Sequence, residues 1–141
     1  MKRIFFTFLI LHLVANVSAQ NDSKAFRAYL ENKEFDIYLR INFYEKNIVI
    51  PGQEYYGELP GYLGKLHNPF CWVIVDAQMK DEREATLSII NDYGSEDLTA
   101  TLSRENDSIY TLRQGQGNSI RIPRDRKWFK LPRNIEFKRR K

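Results

Sequence analysis

Between residues 35 and 43 the chain reads FDIYLRINF, and no other stretch restricts the fold as tightly. Phe35, Ile37, Leu39, Ile41 and Phe43 alternate without a break with Asp36, Tyr38, Arg40 and Asn42. A period of two sends the apolar set to one face of a strand and the polar set to the other, so one side of this segment belongs in a core. The same rhythm returns along the chain. CWVIVDAQM (71–79) sets Cys71, Val73, Val75, Ala77 and Met79 on one side. EATLSII (84–90) does so with Ala85, Leu87 and Ile89, LTATL (98–102) with Leu98, Ala100 and Leu102, and SIYTL (108–112) alternates again. YEKN, PGQE, NDYGSED, RENDS and QGQGNS separate these runs. They carry turn chemistry, because Pro presets φ while Gly, Asn and Asp accept left-handed backbone.

Strands spaced about 8–12 residues apart point to an all-β sandwich or barrel, and short connections favour hairpins over parallel crossovers. The expected fold is all-β, an antiparallel up-and-down meander forming a small eight-stranded barrel. Some segments are read individually. DSKAFRAYLENK (22–33) suits a short N-terminal helix capped by Asp22 or Ser23, with Phe26, Tyr29 and Leu30 on one face; the alternative is the start of the first strand. YYGELPGYLG is interrupted at Pro60-Gly61, which predicts a bulge or an edge strand. KLHNPF reads as a loop, and WFKL and NIEF in the tail read as closing strands.

The N-terminus addresses destination. MKRIFFTFLILHLVANVSAQ opens with Lys2 and Arg3, continues with an apolar run from Ile4 to Val14, and ends with Val17 and Ala19 spaced as at an A-x-A-like cleavage site. That is the layout of a secretory signal peptide over residues 1–19. Eleven helical residues rise about 16 Å, half of a bilayer core, so no stable membrane anchor is expected. Cleavage near Ala19 would release residues 20–141 as a single domain, secreted or periplasmic. Cys71 is the only cysteine, so no internal disulfide can form; it is a buried small hydrophobe or pairs between molecules.

Reaction chemistry is sparse. His67 is the only histidine after residue 19, and Cys71 opens an apolar stretch where a thiol resists ionisation. Neither a triad nor a zinc ligand set can be assembled from one of each. Asp92, Glu96 and Asp97 surround Gly94 in a spacing unlike a calcium loop, and GQGNS lacks the lysine and helix of a phosphate cradle. The chain is expected to be no enzyme and to use no metal or cofactor; a small glycan-acting enzyme with two distant carboxylates stays as an alternative.

Binding signals are stronger. Residues 121–141, RIPRDRKWFKLPRNIEFKRRK, hold ten Lys or Arg and two acids, whereas residues 20–120 hold ten basic and sixteen acidic side chains. Arg121, Arg124, Arg126, Lys127, Trp128, Lys130 and Arg133 are the candidate partner-binding residues. Lys138 to Lys141 read as a solvated terminus. An exported chain meets no nucleic acid by default, so the expected partner is an acidic protein or an envelope polyanion, drawn in by long-range attraction. Tyr38, Arg40 and Tyr44 along the polar face of the first alternating segment are candidate recognition residues. Eight strands can close around packed side chains or one small apolar ligand, and both remain open.

FDIYLRINF, the regular hairpins and the late Trp128 in RDRKWFKL resemble the small secreted lipocalin-like or calycin-like barrels, and size and export resemble the periplasmic lysozyme-inhibitor barrels. The resemblance implies a closed barrel that binds rather than reacts. The early Gly-x-Trp motif of lipocalins and the disulfide of the inhibitors are absent, so no functional residue carries over. The resulting expectation is an exported non-enzymatic binding module, of inhibitor or immunity type, that docks through loops and its basic C-terminal end. A lipocalin-like carrier of a small apolar ligand is the alternative.

Overall fold

A computed structural model describes residues 24–141; the expected signal peptide and its cleavage site lie outside them. Ten strands follow one another: β1 (Arg27–Asn32), β2 (Ile37–Asn42), β3 (Gly61–Lys65), β4 (Asn68–Met79), β5 (Glu84–Asn91), β6 (Asp97–Arg104), β7 (Ile109–Gly117), β8 (Arg121–Arg124), β9 (Lys127–Lys130) and β10 (Asn134–Arg139). Eight of them close a barrel in the order β1-β10-β7-β6-β5-β4-β3-β2, every neighbour antiparallel. Strands β8 and β9 form a separate two-stranded hairpin within the connection from β7 to β10. The eight-stranded antiparallel meander is the expected architecture, and it is compatible with a calycin-like fold.

Inward side chains fill the barrel. Phe35, Ile37, Leu39, Ile41 and Phe43 join Ala85, Leu87, Ile89, Leu98, Ala100, Leu102, Tyr110, Leu112, Ile135 and Phe137 in one continuous buried cluster. One end is shut by Phe26 stacked on Phe43 at 5.4 Å, with the Tyr110 hydroxyl donating to the Ala25 carbonyl. The other end, where the β1–β2, β3–β4 and β5–β6 turns lie, is covered by the β8–β9 hairpin through Ile120, Ile122 and Leu131.

A second, smaller core lies outside the wall. Tyr62, Cys71 and Val73 point away from the interior and are covered by Ile50 and Leu59 of the loop joining β2 to β3. That loop is clamped by paired backbone bonds between Ile48 and Leu59, at 3.0 and 2.8 Å. Strand β4 is therefore buried on both faces from Cys71 to Ile74, which is why CWVI reads as a continuous apolar run. Beside it the Tyr38 ring packs against Gly64, where a Cβ would come within 2.3 Å of the ring and force the tyrosine to shift.

Several expectations need correction. Over its described part the segment 22–33 is not a helix: Arg27–Asn32 is strand β1, paired with β2 from Arg27↔Asn42 to Asn32↔Ile37 and with β10. Ladder bonds on both sides outweigh the weak helical propensity of a single isolated segment. Pro60-Gly61 marks neither an edge nor a bulge: β3 starts after Pro60 and pairs with β2 and β4. A closed barrel has no edges, and the missing proline N–H falls just outside the ladder. KLHNPF is mostly strand, with only Leu66 and His67 in the turn and His67 at φ 58°. In β4 a register shift between Ile74 and Asp76 adds one residue, so the inward set runs Trp72, Ile74, Ala77 and Val75 is 41% exposed. WFKL closes nothing; it is β9 of the covering hairpin, while NIEF is the closing strand β10.

Candidate functional site: the cationic hairpin and the cleft beneath it

Arg121, Arg124, Arg126, Lys127, Trp128 and Lys130 all lie on the hairpin, and Arg133 follows it before β10; all seven are exposed. The hairpin is held from below. The Trp72 indole N–H donates to the Arg121 carbonyl at 2.9 Å, and the Leu131 N–H donates to the Ile120 carbonyl at 2.9 Å. The Phe129 ring meets Phe35 at 5.7 Å. Buried Gln114 ties both roots together: its side-chain oxygen accepts from the Ile120 N–H at 2.7 Å, and its amide nitrogen donates to the Pro132 carbonyl at 2.9 Å. The Arg133 Nε donates to the Gln114 backbone carbonyl at 3.2 Å. A surface loop is thus turned into a fixed platform.

On that platform the charges are arranged against their own interest. Arg121 stands directly across from Lys130 and Arg124 across from Lys127, and like charges opposite each other weaken a strand pair. Among the described residues no salt bridge relieves Arg121, Arg124, Arg126, Lys127 or Lys130. Arg124 does place its guanidinium 5.0 Å over the Phe129 ring. The two-residue turn is Asp125-Arg126, with φ 52° and 64°. A left-handed non-glycine residue costs on the order of 1 kcal/mol or more, and this turn has two.

Under the hairpin is an open cleft of about 210 Å³. Its aromatic wall is Phe70, Trp72, Tyr93 and Trp128. Trp128 is 63% exposed and meets Phe70 at 5.3 Å and 61°, while Tyr93 is 84% exposed. Arg121 stands at the cleft beside Asp92 and Glu96 of the β5–β6 turn. Asn91 builds that turn: its side-chain oxygen accepts from the Ser95 and Glu96 N–H groups at 2.9 and 3.1 Å, and its amide nitrogen donates to the Ser95 hydroxyl at 3.0 Å. Asp92 keeps one buried carboxylate oxygen without a partner, and burial raises its pKa from the ordinary aspartate value.

The remaining candidates lie elsewhere. Tyr38 is sandwiched on the β1–β2–β3 wall, stacked on Tyr29 at 5.3 Å and edge-on to Tyr62 at 5.8 Å. Burial, then hydrogen bonding with Tyr62, pushes its phenol well above the ordinary tyrosine pKa. Arg40 is exposed between Tyr29 and Tyr62 in the register. Tyr44 lies at the opposite barrel end, its hydroxyl accepting from the Phe26 N–H at 3.3 Å and its ring under Lys24 at 5.0 Å. These three do not join the hairpin group. Nor does the C-terminal basic run, which is not a free terminus. Arg139 donates to the Arg27 carbonyl and the Tyr110 hydroxyl at 3.0 and 3.3 Å, and Arg140 approaches Glu31 at 3.7 Å while covering Tyr29. Strand β10 separates the two basic groups that the sequence joins.

Cys71 lies under Gln53, whose amide donates to its sulfur at 3.3 Å. Burial first, then the nearby Asp92 charge, push the thiol up to about 11. A thiol 1% exposed and protonated at neutral pH is expected to resist a thiol reagent such as DTNB in the folded protein, and to react within minutes in denaturant. Rapid labelling of the native chain would contradict that burial. Among the described residues no group of three or more His, Cys, Asp or Glu could hold a metal ion.

No protein-family model, curated protein or solved structure matches this chain.

Proposed function

We propose that this protein is an exported, non-enzymatic binding module of inhibitor or immunity type that docks an anionic partner through the β8–β9 hairpin. The partner is an acidic protein surface or an envelope polyanion. One observation carries the reading: a hairpin anchored from below by Trp72, Phe35 and Gln114 presents two like-charge pairs, and among the described residues none of their cations forms a salt bridge. The like-charge repulsion is unfavourable in the free protein, and an anion settling on the hairpin would offset it. A lipocalin-like carrier would hold its ligand inside the barrel, where Trp72, Tyr110, Phe26 and Phe137 already occupy the space. The outer surface is therefore preferred as the working part.

Retention on an immobilised sulfated polysaccharide and on an immobilised acidic protein, each measured across a salt series, tests the proposal. Tight retention at low ionic strength with a steep loss as salt rises is expected. Equal retention by a chain with the hairpin cations neutralised would overturn it.

A further inference from the structure

The cleft under the hairpin has a composition that the polyanion reading does not use. Four aromatic side chains, two carboxylates and one guanidinium border about 210 Å³. That is below the roughly 300–1,000 Å³ of sites for drug-sized ligands, so the occupant is a head group rather than a chain. Part of its neutral polar set is occupied: both ends of the Asn91 amide build the turn, one of them bonding to the Ser95 hydroxyl oxygen. Most of what borders the open space is aromatic surface and formal charge of both signs.

We propose that this cleft binds an alkylammonium phosphate ester, phosphocholine being its simplest form. The trimethylammonium group would lie against Trp128, Phe70 and Tyr93, with Asp92 and Glu96 supplying the balancing charge. Aromatic faces attract such cations through the negative potential of the ring face, more strongly when water is excluded. The phosphate would meet Arg121, whose planar fork suits paired phosphate oxygens. Lys130 stands opposite Arg121 in the hairpin register and borders a separate cleft. A simple cation would leave Arg121 unanswered and a simple anion would face the two carboxylates; the zwitterion satisfies both. The site shares Arg121 and Trp128 with the docking hairpin, but its ligand is a small zwitterion, so its test can fail while polyanion retention stands.

The test is titration of the full chain with phosphocholine, followed by the NMR signal of the Trp128 indole N–H and by tryptophan fluorescence. Saturable binding is expected, at least about tenfold tighter than choline or inorganic phosphate alone and than 3,3-dimethylbutyl phosphate, the isostere whose head group is uncharged. Trp128→Ala should weaken phosphocholine binding at least about tenfold. Arg121→Gln should erase the preference for phosphocholine over choline. Both side chains are exposed, so an unchanged circular dichroism melt shows that the variants fold, and sulfated-polysaccharide retention of Trp128→Ala reports the hairpin separately. Co-sedimentation with phosphatidylcholine vesicles would place the ester on a lipid; binding of the soluble ester without sedimentation would place it on a soluble or glycan-borne molecule. No signal change at millimolar phosphocholine, equal affinity for the isostere with the uncharged head group, or an equal response to glucose or N-acetylglucosamine would overturn the proposal.

Discussion

Replacing Arg124, Arg126, Lys127 and Lys130 together with Gln is expected to lower affinity for a sulfated polysaccharide on the order of a hundredfold at low salt. Each cation that neutralises a polyanion site releases counterions, and the log–log salt slope falls by nearly one per cation lost, so roughly three to four in all. Net charge alone would also weaken retention, so the control is a chain in which Lys24, Lys46, Lys80 and Arg83 are changed instead. These four are exposed on other parts of the barrel, and their loss should cost only a small part of the affinity. The hairpin variant should fold as well as the parent or slightly better. Removing Arg124↔Lys127 and half of Arg121↔Lys130 relieves like-charge contacts worth a few tenths of a kcal/mol each. Binding that falls while stability holds or rises is the mark of residues kept for function. If the control loses as much affinity as the hairpin variant, the patch has no special role.

The second large effect lies beneath the hairpin. Trp72 is the largest fully buried side chain of the protein, and its indole N–H is bonded to the Arg121 carbonyl. Trp72→Ala is expected to remove about 3–5 kcal/mol of stability in urea unfolding, a large share of the 5–15 kcal/mol typical of a domain. Trp72→Phe separates the two contributions. It keeps most of the apolar volume but leaves the Arg121 carbonyl without its donor, for about 1–3 kcal/mol. Hydrogen exchange should then speed up in β8 and β9 before it does in β5 and β6, because the hairpin loses its tie while the barrel ladder stays intact. Uniform acceleration would mean that the indole serves the barrel alone.

Much of the barrel was legible in the sequence wherever one face of a strand meets water. β2, β5 and β6 alternate cleanly, and their inward residues are the predicted ones. Legibility failed where a segment is buried twice or its period breaks. Cys71 to Ile74 carry no alternation because both faces are covered, and the added residue at Val75 shifts the phase of everything after it. β1 was ambiguous because Phe26 and Leu30 fit a helical stripe as well as alternate strand positions; only its partners, β2 and the distant β10, decide. The basic residues of the tail could be counted, but their division between the hairpin and the C-terminal strand depends on how β8 and β9 fold back over the barrel end. Gln114 and Trp72 gave no local signal. Their roles come from neighbours far along the chain, such as the 49-residue separation between Trp72 and Arg121.

The seam between β1 and β10 joins residues about a hundred positions apart, Leu30 with Arg139 and Glu31 with Lys138. Until Asn134–Arg139 has emerged, the growing sheet keeps two raw borders, at β1 and at β7, each able to recruit a stray strand from another molecule. Zipping this seam is a slow, long-range event, since so large a loop must close before any contact rewards it. Strand β10 thus acts as the latch of the barrel, and a polypeptide threaded amino end first would have to wait for it in an open, sticky form.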